Sequence, residues 1–257
     1  MNGIFWEKVK IKKRIDFSDK IIGFWLTTEK IAKNSKIGQF VHIKIGDNYG
    51  FFLRRPFSIA DREGDKIFFI FRVVGQGTFW LSKLKKDDEL DILGPLGKPI
   101  EIPEEKDILI LGGGLGIAPL YFLTKIFSNN KKELYVILGA KKKEELILKE
   151  RFEKLNLKKL IFYTEDGSYG EKGKVSDGLT NILKEKEFKI VYSAGPIEML
   201  RKIKFLLKEE IKIYGFLEER MGCGVGLCAA CAIPKKDGTY LHLCEEGPCL
   251  MLNEILL

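Results

Sequence analysis

The sequence predicts a β-barrel followed by a doubly wound α/β domain, with a short cysteine-rich tail. Three observations carry this. Residues 1 to about 100 hold short runs rich in Ile, Val and Phe, broken by turn residues such as Glu63-Gly64-Asp65, the pattern of a small antiparallel barrel. From about 101 to 216, apolar runs alternate with helical stretches, which implies parallel βαβ units. All five cysteines then fall in the 27 residues from Cys223 to Cys249.

Taken in order, the barrel strands are expected at 9–15, 21–27, 40–45, 57–61, 66–74 and 89–92, with a short helix at 79–84 after Gly77-Thr78. Pro95, Pro99 and Pro103 punctuate a linker. The α/β strands are expected at 108–111, 134–138, 160–163, 190–193 and 211–216. The helices between them run to about 127, then over 144–155, 175–183 and 197–208. The domains are therefore 1–100, 101–216 and 217–257.

Length and composition set limits. A chain of 257 residues with 45% hydrophobic residues supports one or two real cores. No apolar run reaches the roughly 18 residues of a membrane span, and the start MNGIFWEKVKIKKRI lacks a signal-peptide core. The expected location is the cytoplasm, with no membrane partner. The net charge of +8 comes with both signs interspersed and no basic arm, so no nucleic-acid partner is expected. The positive balance suits solvation and phosphate-bearing cofactors.

The cysteines read Cys223-x4-Cys228-x2-Cys231-x12-Cys244, with Cys249 beyond. C-x4-C-x2-C with a later Cys is the plant-type spacing for a [2Fe-2S] cluster. Structural zinc more often uses two C-x2-C pairs, and only Cys228 and Cys231 form one. Spacing alone leaves Cys244 and Cys249 both open as the fourth ligand. Gly112, Gly113, Gly114 and Gly116 join the first α/β strand to its helix, with Pro119 in the first turn. Such a turn lets a phosphate approach the backbone at a helix N-terminus. It is not the G-x-G-x-x-G fingerprint, and a bare strand-to-helix turn is the alternative to a phosphate site. Lys141, Lys142 and Lys143 stand where a Rossmann domain carries its ribose-binding acid. They read as a solvated run or as a contact for a 2′-phosphate, which leaves NAD and NADP open. Of the two histidines, His42 reads as packing, and His242, close to Cys244 in sequence, reads as the candidate to tune the cluster.

These residues carry a family resemblance. Arg55-Pro56-Phe57-Ser58 resembles the R-x-[YF]-S/T flavin motif of the ferredoxin–NADP reductase superfamily, and 112–119 its pyridine-nucleotide loop. Ala194-Gly195-Pro196 resembles its C-G-P motif with alanine in place of cysteine. With Glu218-Glu219-Arg220-Met221-Gly222-Cys223, Leu243-Cys244-Glu245-Glu246-Gly247-Pro248, Thr164–Gly170 and Lys172-Gly173, the whole chain resembles the electron-transfer subunits of type B dihydroorotate dehydrogenase.

The resemblance implies a six-stranded FAD barrel, an NAD domain and a [2Fe-2S] module. It places FAD on Arg55, Pro56, Phe57, Ser58, Ile70, Phe71, Arg72, Gly77 and Thr78, and it selects Cys244 beside Cys223, Cys228 and Cys231. Phe57 would lie against the isoalloxazine ring and Arg55 beside the phosphates. It implies an FMN-containing catalytic partner that oxidises dihydroorotate, two of each subunit, and NAD+ as final acceptor in pyrimidine biosynthesis. An NAD(P)H reductase subunit of another complex is the alternative. The bifurcating transhydrogenase type of that alternative resembles this chain but carries Asp where Cys223 stands. A colourless zinc-stabilised nucleotide-binding module is the third possibility.

Overall fold

The computed structural model describes residues 3–46 and 52–257. The chain forms two compact units, one of 1–100 with 218–233 and 241–248, the other of 101–217 with 234–240 and 249–257.

The first unit is built on β1 (Phe5–Ser18), β2 (Ile21–Thr27), β3 (Phe40–Ile43), β4 (Arg55–Ser58), β5 (Asp61–Glu63), β6 (Lys66–Arg72) and β7 (Glu89–Leu96). They pair antiparallel in the order β4-β3-β7-β1-β2-β6-β5. The sheet curls around aromatic side chains. Phe24 meets Phe69 and Phe71 edge-on at 5.7 and 5.4 Å, and Phe57 of β4 reaches the same two rings at 5.1 and 6.0 Å. Such pairs add ~0.5–1.5 kcal/mol each beyond burial. The sheet has seven strands rather than six, because the expected run at 57–61 breaks after Ser58. There the Ile59 N–H donates to Gln39 O and the Ala60 N–H to Phe68 O. Two helices complete the frame, α1 (Ile31–Asn34) and α2 (Gln76–Lys83). The Glu7 carboxylate of β1 accepts the N–H groups of Glu29, Lys30 and Ile31, holding the start of α1.

The second unit carries β8 (Asp107–Gly113), α3 (Ile117–Asn129), β9 (Glu133–Ala140), α4 (Lys149–Phe152), β10 (Lys159–Thr164), β11 (Glu171–Lys172), α5 (Val175–Glu185), β12 (Ile190–Ala194), α6 (Ile197–Leu206) and β13 (Lys212–Phe216). The strands β11-β10-β9-β8-β12-β13 lie parallel in that order. The order reverses between β8 and β12, and ligands of open α/β sheets bind at the strand ends of such a switch point. The helix expected over 144–155 is not continuous. Leu146, Ile147 and Leu148 are all buried, which one helical face cannot arrange for three successive residues. The chain therefore turns at Leu148 (φ 60°) and only α4 remains helical.

The tail holds β14 (Ala232–Pro234), β15 (Tyr240–His242), α7 (Leu243–Glu246) and β16 (Cys249–Met251). It is shared between the units: 218–233 and 241–248 belong to the first, whereas β16 pairs antiparallel with β13 at the edge of the parallel sheet. Within the first unit, the Lys98 N–H donates to Gly247 O at 2.7 Å. Gly97 (φ +80°) passes so close that a Cβ there would lie 2.6 Å from the same oxygen. Gly97→Ala is expected to cost about 2 kcal/mol or more, from left-handed strain plus the clash, read as a lower denaturant midpoint.

Candidate functional site

The cysteine loop 222–231 folds so that backbone N–H groups point at sulfur. Val225 and Leu227 donate to Cys223 Sγ at 3.4 and 3.2 Å, Cys223 to Cys228 Sγ at 3.4 Å, Gly226 to Cys244 Sγ at 3.2 Å and Cys244 to Cys231 Sγ at 3.4 Å. All five cysteines are free of disulfides. The donors favour thiolate, the metal-binding form. Burial pushes the Cys223 thiol up, but the N–H groups of Val225, Cys228 and Leu227 outweigh it and bring it down to about 6. Burial dominates at Cys244, pushed up to about 12 with the Cys231 sulfur adding to the rise.

Backbone N–H to sulfur contacts link the four cysteines as two pairs, Cys223 with Cys228 and Cys231 with Cys244. Two thiolate pairs suit the two irons of a [2Fe-2S] cluster better than one tetrahedral zinc. Cys249 lies in β16, in the other unit. It is half-buried as a residue, yet enclosure of its thiol pushes its pKa up.

The same unit carries the expected flavin residues. Arg55, Pro56, Phe57 and Ser58 form β4 and are all half-buried. Arg55 Nη1 donates to Leu53 O at 2.8 Å, and a Cβ on Gly77 would lie 3.9 Å from Arg55 Nε. The guanidinium thus stands at the first turn of α2. There Thr78 Oγ1 accepts the N–H groups of Val74 and Gly75 at 2.9 and 3.1 Å. A guanidinium beside a helix N-terminus fits an anionic phosphate. Phe57 packs on the core rings yet keeps exposed area. Ile70 and Phe71 are buried side chains, so only their backbone could meet a ligand, and Arg72 ends β6 half-buried.

In the second unit, Gly112 and Gly113 end β8, and Gly114–Gly116 form one 3-10 turn before α3. Three of these glycines answer to packing. A Cβ on Gly112 would lie 2.8 Å from Leu138 Cδ2, on Gly113 2.5 Å from Met199 Sδ, and on Gly116 against the Ala194 backbone. Gly114 alone opens to free space, with nothing within 4 Å. The fully buried Thr164 side chain braces the following loop, its Oγ1 donating to Tyr169 O at 2.7 Å and accepting the Tyr169 N–H at 3.0 Å. That loop meets the lysine run, since the Lys143 N–H donates to Ser168 Oγ at 2.8 Å.

His42 packs in the interior as the sequence suggests, with its ring 5.6 Å from that of Phe40. It is fully buried on β3, and neither ring nitrogen has a hydrogen-bond partner among the described residues. Its ring lies against Gly224 of the cysteine loop. His242, the neighbour in sequence, instead has Nδ1 4.0 Å from Glu245 Oε2. No local pattern marks His42, because its nearness to the cysteines comes from tertiary packing.

Comparison with known proteins agrees with this layout. Residues 218–256 match the iron-sulfur cluster binding domain of dihydroorotate dehydrogenase B, and 110–204 the oxidoreductase NAD-binding domain. The chain is 37% identical to the dihydroorotate dehydrogenase B (NAD(+)) electron transfer subunit of Caldanaerobacter subterraneus, over 96% of this chain and 98% of that one. It is 37% identical to the subunit of the same name from Fusobacterium nucleatum, over 85% and 86%. Among solved structures it is similar to an NADH-dependent reduced ferredoxin-NADP oxidoreductase (TM-score 0.87, 30% identity, 96% and 89% coverage). It shares its fold with a ferredoxin NADP+ reductase from Neisseria gonorrhoeae (TM-score 0.67, 20% identity, 78% and 89% coverage).

Burial, and then the charge of Arg54, holds His42 down to about 4. The folded ring excludes a proton that the unfolded ring, with its ordinary value near 6.5, accepts. This contribution is complete above pH ~6.5 and is lost as pH falls toward 4. Denaturant midpoints taken from pH 7 to pH 5 should therefore fall more steeply for the wild type than for His42→Gln. From the cysteine-loop geometry, the family matches and the end-to-end relatives together, this chain belongs to the dihydroorotate dehydrogenase B electron-transfer subunit family.

Proposed function

We propose that this chain is the electron-transfer subunit of an NAD-dependent dihydroorotate dehydrogenase in pyrimidine biosynthesis, working in the cytoplasm with an FMN-containing catalytic partner, two copies of each. The net reaction is dihydroorotate plus NAD+ to orotate, NADH and a proton, with dihydroorotate oxidised on the partner. The observation that carries this reading is the pairwise set of thiols, each receiving a backbone N–H, in the segment that matches the cluster-binding family model. When bound, the cluster passes single electrons and FAD joins two of them into the hydride that a nicotinamide accepts.

The chain's own residues bind and orient these groups. Cys223, Cys228, Cys231 and Cys244 hold the cluster as thiolates, and the loop N–H groups offset their charge. Arg55 neutralises the FAD phosphates beside Gly77 and Thr78. Pro56, Phe57 and Ser58 present β4 to the flavin, with Ile70, Phe71 and Arg72 of β6 contributing backbone and charge. Gly114 leaves the approach for the NAD phosphates, and Gly112, Gly113 and Gly116 set the turn that presents it. In this reading residues 1–100 serve the flavin, 101–216 the nucleotide and 217–257 the cluster. Leu227 is 84% exposed and adjoins the exposed Cys228, which suits this face to the partner.

A reductase subunit of another complex is the second reading, favoured by the likeness to the ferredoxin-NADP oxidoreductase. Cys223 at the first cluster position supports the first reading. Anaerobic purification from native cells discriminates them. The expected result is a co-purifying flavoprotein and dihydroorotate-dependent NAD+ reduction; a different partner without that activity would move the chain to the second reading.

Three substitutions separate the sites. Arg55→Ala is expected to lower flavin content at unchanged iron, measured as flavin absorbance and iron per chain. Cys244→Ser should abolish stoichiometric iron, whereas Cys249→Ser should leave it at the wild-type level.

A further inference from the structure

The four thiols around the cysteine loop do not share one environment. Cys231 and Cys244 are buried, at 3% and 2% exposure, whereas Cys223 is half-buried and Cys228 exposed. Cys228 stands in a run, 227–230, whose residues are all exposed. The backbone N–H groups are shared unequally as well. Among the described residues, the sulfurs of Cys223 and Cys228 accept three, from Val225, Leu227 and Cys223. Those of Cys231 and Cys244 accept two, from Cys244 and Gly226.

Charge adds a third difference. Glu245 and Glu246 directly follow Cys244, and a Cβ on Gly226 would meet Glu245 Oε2. A carboxylate therefore lies against the residue whose N–H serves Cys244. Adding an electron to an iron–thiolate site makes it more negative. N–H dipoles and water stabilise that state, whereas burial and a neighbouring carboxylate oppose it. All three differences favour the same pair of cysteines.

We propose that Cys223 and Cys228 hold the iron that takes the electron, while Cys231 and Cys244 hold the iron that stays ferric. One electron enters from the partner's flavin, one ferric ion becomes ferrous, and no bond forms or breaks. The electron then rests on the open side of the loop, the side that carries Leu227 and Cys228. The inference rests on the cluster reading of the four cysteines and on their pairing.

The test uses the wild-type, cofactor-loaded chain, reduced anaerobically with dithionite until its paramagnetic signal appears. Proton magnetic resonance is then recorded over a range of temperatures. In a coupled ferric–ferrous pair, cysteine β-protons on the ferric iron move toward their diamagnetic positions on warming, and those on the ferrous iron move away. Overhauser contacts assign the protons to individual cysteines. Leu227→Ala, which keeps the backbone N–H to Cys223 Sγ, marks Cys228 by the contacts that disappear. The expected result is that the protons moving away on warming belong to Cys223 and Cys228. The opposite assignment, or four cysteines that behave alike, would overturn the proposal while leaving the cluster reading intact. A chain that binds no iron would overturn both.

Discussion

Two glycine contacts fix the cysteine-bearing segments to the wall of the barrel, one at the loop 222–231 and one just after α7, and the arrangement of the first unit depends on them. At one, Gly97 runs under the Gly247 carbonyl, which accepts the Lys98 N–H. At the other, Gly224 lies on the face of the His42 ring. A β-carbon at either position would overlap its neighbour, so the approach depends on its absence. The close fit makes the loop that gathers four thiols part of the same compact unit as β4. Electron transfer is steeply sensitive to placement, and here placement is a matter of one sheet with two faces. The cysteine loop lies against His42 on one face, and Phe57 packs inward from the other.

The thiol pairs illustrate how backbone can do what charge would do less well. There is no Lys or Arg between Gly222 and Ala232; instead, loop N–H groups converge on the sulfurs. Fixed dipoles stabilise negative charge without adding a counter-ion whose own hydration must be lost. The nucleotide loop shows a complementary economy. Gly112, Gly113 and Gly116 are small because Leu138, Met199 and the Ala194 backbone press on them, and only Gly114 is left open. A glycine-rich turn is thus mostly a packing device with a single point of access.

Much of this was legible in the sequence. Alternating apolar runs marked the barrel, strand–helix alternation marked the parallel sheet, and the Cys223–Cys244 spacing marked the loop that the structure folds around. What was hidden depended on tertiary packing. The helix expected at 144–155 failed because Leu146, Ile147 and Leu148 are all drawn into the core, which no helical periodicity expresses. Strand β5 was merged with β4 because a two-residue break carries no composition signal. Cys249 was grouped with the tail, although its strand pairs with β13. His242 seemed the natural neighbour of the cysteines from its number alone, whereas His42, about 180 residues upstream of Gly224 by sequence number, is the ring that lies against their loop. Its alternation within β3 marks it as facing one side of the sheet, but not what covers that side.

The central claim is that this chain by itself links a pyridine nucleotide to an iron–sulfur cluster through a flavin. The most direct measurement is an anaerobic titration of the purified, cofactor-loaded chain with NADH, following flavin absorbance and the paramagnetic signal of the reduced cluster together. The expected result is flavin bleaching accompanied by the cluster signal, without any partner subunit present. Bleaching of flavin while a fully loaded cluster stays oxidised at a potential NADH can reach, or a chain that binds no iron, would contradict it.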